Sequence, residues 1–178
     1  MSLSIRYILL ALVGLGLLGV AAFLIILAKF NHDLPQMITI EDYKPLLVSE
    51  VYDRNNKKIG EFFREKRILT PYNEIPKHVV EAFVAAEDDT FFKHSGINYI
   101  AITRAFLMNI KSGRKGQGGS TITQQVARSL LLSSEKTYGR KIREILLAQK
   151  MEQALSKEEI MYLYLNQIYL GQGAYGVG

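Results

Sequence analysis

The sequence predicts a mainly α-helical protein, with a membrane-spanning helix at its N-terminus and one short β-hairpin ahead of the helical part. Three observations lead there. Tyr7 to Ala28 is a run of 22 residues without a charge. From Pro76 onward, apolar residues recur at helical spacing, punctuated by capping signals. Between these regions lies a single pair of β-prone runs. With 178 residues, 48% hydrophobic and 22% charged, the chain is globular rather than disordered. We divide it into residues 1–29 (cytoplasmic tip and anchor), 30–70 (juxtamembrane linker and hairpin) and 71–178 (helical domain).

The first element is the anchor. At 1.5 Å per residue its apolar run is about 33 Å long, enough for a hydrocarbon core of roughly 30 Å. A cleavable signal peptide would carry a shorter apolar region followed by a small-residue cleavage site. Here Val20-Ala21-Ala22 sits inside the run. Arg6 and the amino terminus favour a cytoplasmic start, and Lys29 with His32 weakens that asymmetry. The remainder would then lie outside the cytoplasmic membrane, where a mildly basic domain meets anionic head groups and not nucleic acid. The absence of cysteine decides nothing about compartment.

Phe30 to Pro45 reads as the linker. Leu46 to Tyr52 and Lys57 to Ile68, around Asp53-Arg54-Asn55-Asn56, read as the hairpin. Pro76 suits a first helical turn, and Val79, Val80, Ala82, Phe83 and Ala86 form the apolar side of a helix ending near Glu87–Asp89. A second helix is expected over Tyr99 to Ile110, burying Ile100, Phe106, Leu107 and Ile110. Lys111 to Gly119, with four glycines and three cations, reads as a mobile loop. Thr121 with Gln124 forms a capping box opening a helix to about Leu132, and another helix follows from about Arg140 to Leu155. Ser156 with Glu159 caps a last helix to about Tyr169. The glycine-rich stretch from Gly171 to Gly178 then follows with nothing evident to pack on it, which reads as a fragment of a larger domain.

Zinc and nucleophile chemistry find no support. His32, His78 and His94 are far apart, cysteine is absent, and neither a G-x-S-x-G elbow nor a P-loop occurs. Carboxylates in a basic, polar setting remain. Glu87-Asp88-Asp89 ends an apolar helix, where acidic groups oppose the macrodipole, just before Phe91-Phe92. Arg140 and Lys141 lie four and three residues before Glu144, on one helix face; alone, that pattern reads as an exposed salt-bridged surface. Gly118-Gly119-Ser120-Thr121 leads into a helix N-terminus, whose free N–H groups bind anions, although ordinary capping explains Ser120 and Thr121 equally well. Gln124, Gln125 and Arg128 follow within about a turn.

Taken jointly, these stretches resemble the family 51 glycosyltransferases, the polymerase domain of class A penicillin-binding proteins. Glu87-Asp88-Asp89-Thr90-Phe91-Phe92-Lys93-His94-Ser95-Gly96 matches EDxxFxxHxG, and Gly119 to Gln125 matches GSTITQQ. Arg140 to Glu144 matches RKxxE, and Tyr164 to Gly171 matches YLNxxYxG. The resemblance implies a lysozyme-like helical domain that polymerises the lipid-linked cell-wall disaccharide, lipid II, with release of polyprenyl diphosphate. It carries the general base to Glu87 and a supporting carboxylate to Glu144. Asp88, Ser120, Gln124, Gln125, Arg128, Arg140, Lys141 and Asn166 carry over as substrate contacts, with ordering of nearby backbone as another role for Asn166. The Arg128 position is usually lysine in the family, so a planar fork replaces a point charge. His94 is expected to fix the loop after Glu87, and Tyr162, Tyr164 and Tyr169 to pack.

The chemistry fits these residues. Pyrophosphate needs its growing charge stabilised, the acceptor hydroxyl needs a base, and one displacement inverts the anomeric carbon. Desolvation against Phe91 would raise the basicity of Glu87. No cofactor is required, with magnesium or manganese bridging the phosphates as an option. The resemblance also implies the growing glycan, the membrane and other cell-wall synthesis proteins as partners. Val51 to Ile59 resembles the stretch that precedes the polymerase domain in bifunctional members. Two rivals stand beside this reading: a glycan-cleaving muramidase or lytic transglycosylase, and a non-catalytic membrane-anchored scaffold.

Overall fold

A computed structural model describes residues 3–36, 39–41, 43–45, 48–63, 65–113, 118–132, 135 and 137–178. The chain divides into two compact units, residues 1–35 and 36–178. The first is a single helix, α1 (Leu3–His32), 30 residues long. Within it, Leu12–His32 is long and apolar enough to cross a membrane, and none of that stretch is buried within the protein.

The second unit begins with an antiparallel hairpin of β1 (Ser49–Tyr52) and β2 (Lys58–Phe62), pairing Val51 with Gly60 and bulging before Tyr52. Its turn forms where the sequence places it, because Asp53 Oδ1 accepts from the backbone N–H groups of Asn55 (2.8 Å) and Lys57 (2.9 Å). The strands are shorter than predicted, and Leu46 and Leu47 lie outside the described residues. Lys66–Arg67 forms a separate strand, β3.

Four helices follow a short 3₁₀ turn at Tyr72–Glu74: α2 (Lys77–Glu87), α3 (Tyr99–Ser112), α4 (Ile122–Leu131) and α5 (Tyr138–Ala154). A further helix, α6 (Lys157–Gln167), leads into β4 (Tyr169–Gly171) and β5 (Ala174–Tyr175). Both capping boxes are formed, at Thr121/Gln124 and Ser156/Glu159. The core lies among α4, α5 and α6: Ile122, Val126, Leu147, Met151, Ile160, Leu163 and Leu165 are essentially inaccessible, and Phe91 enters it from the loop after α2. The mainly helical class with one short hairpin and an apolar N-terminal helix is therefore the class found.

Two expectations are corrected. The glycine-rich end does not trail away unpacked. It folds as β4 and β5, and β5 runs parallel to β3, pairing Lys66 with Ala174 and Arg67 with Tyr175. The apolar residues of α3 are not buried either. Ile100, Phe106, Leu107 and Ile110 are exposed, and Ala105 alone among its residues is buried. Helical periodicity locates an apolar face but does not say what covers it. The loop predicted at 111–119 is described only in part, since residues 114–117 lie outside the described residues. Gly119 is needed for close approach: a Cβ there would stand 2.9 Å from Ile102 Cα on α3.

Candidate active site

The C-terminal end of α2 delivers three carboxylates that part ways. Glu87, the last helical residue, is exposed, and its Oε2 accepts a hydrogen bond from Gln125 Nε2 of α4 at 2.9 Å. Asp88 turns inward. Its side chain is 2% exposed, and its Oδ2 accepts from the Ile122 N–H at 3.1 Å and pairs with His94 Nε2 at 2.8 Å. Because Gly96 N–H donates to His94 Nδ1, the neutral ring carries its proton on Nε2 and donates it to Asp88. His94 thus ties the loop after Glu87 to the start of α4. Asp89 is exposed.

Glu144 overturns the expectation of an exposed ion-paired surface. It is fully buried, its Oε2 accepting from Arg140 Nη1 at 3.0 Å and its Oε1 accepting from Lys141 Nζ. Lys141 Nζ also reaches Ser120 Oγ at 2.8 Å. One buried carboxylate thereby fixes two cations, and through Ser120 it fixes the loop entering α4. Leaving such a carboxylate unpaired would be costly, so the three side chains act as a unit. Arg128 stands on α4 one turn beyond Gln125 and is exposed.

Glu87 forms part of the wall of two neighbouring cavities. One lies between the end of α2, α3 and the loop 118–121, and includes Asp89, Arg104 and Ser120. The other is framed by α4, α6, β4 and β5, and includes Gln125, Arg128, Tyr164 and Tyr169. Tyr164 is nearly buried, its ring edge-on to Phe83 at 5.8 Å. Burial, and then the negative charge of Glu87, push its hydroxyl pKa up against the opposing pull of Arg128.

Several predicted site residues sit elsewhere than expected. Gln124 is fully buried, its Oε1 accepting the Thr121 N–H, so it caps α4 and Gln125 is the glutamine beside Glu87. Asn166 is fully buried and orders nearby backbone, the second of the two roles read for it: its Oδ1 accepts from Thr70 N–H, and its Nδ2 donates to the carbonyls of Thr70 and Tyr162. Asp88 borders the first cavity, yet its bonds run to protein groups. Glu87 is exposed, whereas Phe91, expected against it, turns into the core. Phe91 is fully buried, in edge contact with Phe92 and His94 and beneath the Lys157 ammonium. Arg104 and Tyr164 line these cavities; sequence reasoning did not single out Arg104, and it read Tyr164 mostly as a packing residue. The only signal for Tyr164 was its place in the fourth motif, beside Asn166.

The second unit is thus a mainly helical domain in which Glu87 is exposed and lines two cavities, while a buried Glu144 holds the Arg140 and Lys141 cations. Comparison with known proteins narrows the class. The Transglycosylase family profile matches residues 55–178, and the chain belongs to that family. It is 46% identical over 168 residues to penicillin-binding protein 1A of Aquifex aeolicus, covering 92% of this chain and 23% of that protein. It is 40% identical over 174 residues to penicillin-binding protein 1A of Escherichia coli K12, covering 98% of this chain and 20% of that protein. With penicillin-binding protein 1A of Neisseria gonorrhoeae the identity is 42% over 163 residues, covering 92% and 20%. The chain thus spans about a fifth of the length of these relatives.

Proposed function

We propose that this chain carries a peptidoglycan glycosyltransferase site that polymerises lipid II into β-1,4-linked glycan and releases polyprenyl diphosphate. The observation that carries this is the position of Glu87, exposed at the boundary of two cavities with Gln125 holding one of its oxygens. Glu87 Oε1 is left to take the proton from the acceptor 4-hydroxyl. As that oxygen attacks the donor's anomeric carbon, the bond to the pyrophosphate oxygen breaks, and its electron pair leaves with the phosphate. A single displacement inverts the α-linked donor to a β-linkage.

The leaving group's charge is met by Arg128 and by the Arg140 and Lys141 cations that Glu144 holds in place. Glu144 acts here as a positioning residue. Substrate closing over Glu87 would exclude water from it. Among the described residues no group of three or more carboxylates or imidazoles could hold a metal ion. A divalent cation would therefore draw most of its ligands from the phosphates.

Glycan cleavage by a paired-carboxylate mechanism is less well supported. The second motif carboxylate, Glu144, is buried and saturated by two cations, so it is not free to act across the sugar from Glu87 as such a pair requires. A lipid-linked substrate also suits the rest of the chain. The apolar α1 fits an anchor, and the exposed Ile100, Phe106, Leu107 and Ile110 of α3 suit a protein working against lipid. The relatives' name, penicillin-binding protein, supports a bifunctional parent.

The test is polymerisation of labelled lipid II by the full-length protein and its Glu87→Gln variant. We expect long glycan from the parent and a loss of at least about 10²-fold in the folded variant, the usual contribution of a general base. Near-parental polymerisation by Glu87→Gln would remove Glu87 as the base. No polymer from the folded parent would favour the scaffold reading.

A further inference from the structure

Tyr164 holds a polar atom that the mechanism above does not use. The residue is 3% exposed, and its hydroxyl oxygen is buried with no hydrogen-bond partner among the described residues. A buried hydroxyl without a partner is penalised, whereas phenylalanine would fill the same space without that penalty. Packing against Phe83 therefore accounts for the ring but not for the hydroxyl. The residue borders the second cavity together with Glu87 and Arg128. Both of those are long, exposed side chains, and no bond among the described residues ties Arg128 down, so they can shift as a ligand enters.

We propose that Tyr164 contacts substrate, its hydroxyl donating a hydrogen bond to the anionic pyrophosphate oxygen that Arg128 pairs with. This rests on the glycosyltransferase reading for the identity of the substrate, and on geometry for the site itself. The chemistry is complementary. A phenol donates without bringing charge, so it adds to the Arg128 cation without repelling it. Glu87 lines the same cavity, and a second cation there would pair with the base and weaken it. The raised pKa of Tyr164 keeps the proton on the oxygen, as a donor requires. The arrangement places one charged and one neutral donor on the same phosphate, both within reach of the carboxylate that activates the acceptor.

The experiment compares the full-length protein with its Tyr164→Phe and Arg128→Gln variants. It measures thermal midpoint, the rise in that midpoint with inorganic pyrophosphate, and kcat and KM for lipid II. Tyr164→Phe should unfold at the parental temperature or above it. Its pyrophosphate affinity and its kcat/KM should each fall about tenfold, the effect of one lost hydrogen bond to a charged group. Arg128→Gln should lose more of both. Unchanged pyrophosphate affinity in Tyr164→Phe overturns the proposal. So does a lowered midpoint that accounts for the activity loss, since the hydroxyl would then be structural. A parent that binds no pyrophosphate also overturns it. A parent that binds pyrophosphate but does not polymerise lipid II would sink the glycosyltransferase reading alone, and the pyrophosphate comparison would still decide the role of Tyr164.

Discussion

Asp88 closes α2 at the end where carbonyl dipoles disfavour negative charge, and its side chain shows how that cost is offset. Oδ2 accepts the first N–H of α4 and the His94 proton, so the carboxylate sits at the favourable pole of a different helix. Replacing Asp88 with alanine strands two buried donors, and stability should fall by about 1–3 kcal/mol. Asparagine, which keeps an acceptor oxygen, should cost less. Thermal unfolding of the two variants checks this; equal midpoints for alanine and parent would show the bonds to be idle. Gly96 belongs to the same construction, because it adopts φ +88° and a Cβ there would stand 2.8 Å from the Ala148 carbonyl oxygen. The motif containing Glu87, Asp88, His94 and Gly96 was legible in the sequence, but a motif does not separate residues that face substrate from residues that hold them. Gln124 was placed with the contacts for that reason, and its side chain caps α4 instead; of the two roles read for Asn166, its bonds are those of backbone ordering.

At the scale of elements, what was legible was local. Capping boxes bind residues three apart, so Thr121/Gln124 and Ser156/Glu159 could be read directly, and the helices begin where they say. The face of α3 and the sheet joining β3 to β5 depend on partners far along the chain, Lys66 with Ala174 for instance, and no local signal carries them. Ser156 offers a clean measure of the local contribution, since it is exposed and its hydroxyl accepts the Glu159 N–H. Ser156→Ala should lower stability by about 1 kcal/mol while leaving polymerisation per folded molecule unchanged. The Ser156 N–H and hydroxyl hold the Glu159 carboxyl below its ordinary range. That stabilisation is present above the unfolded carboxyl's pKa and is lost as pH falls through the lower, folded value. The gap between parent and Ser156→Ala should therefore narrow in acid, as unfolding curves at pH 7 and pH 3 would show.

At the scale of the whole second unit, residues ahead of the helices are tied to it by polar bonds as well as by packing. Tyr43 donates to Gln167 Oε1 at 3.0 Å and meets Tyr162 edge-on at 6.2 Å, while Thr70 is clamped by Asn166. Residues read in the sequence as linker thus brace α6, whose C-terminal end carries Tyr164 and Gln167 at the second cavity. Burial pushes the Tyr43 hydroxyl up to about 12, with Arg67 opposing. An unfolded tyrosine titrates near 10, so between about pH 10 and 12 the unfolded chain has lost a proton that the folded one keeps. Stability contributed by neutral Tyr43 is then fully present below pH 10 and drains away as pH rises toward 12. Tyr164, raised in the same direction, adds to the slope. Tyr43→Phe should be less stable than the parent at pH 8, for want of the bond to Gln167, yet lose less between pH 8 and pH 11. Urea unfolding at the two pH values measures both differences. Parallel losses in parent and variant would mean that Tyr43 titrates as freely in the fold as in the unfolded chain, and that the brace on α6 rests on Asn166 and packing alone.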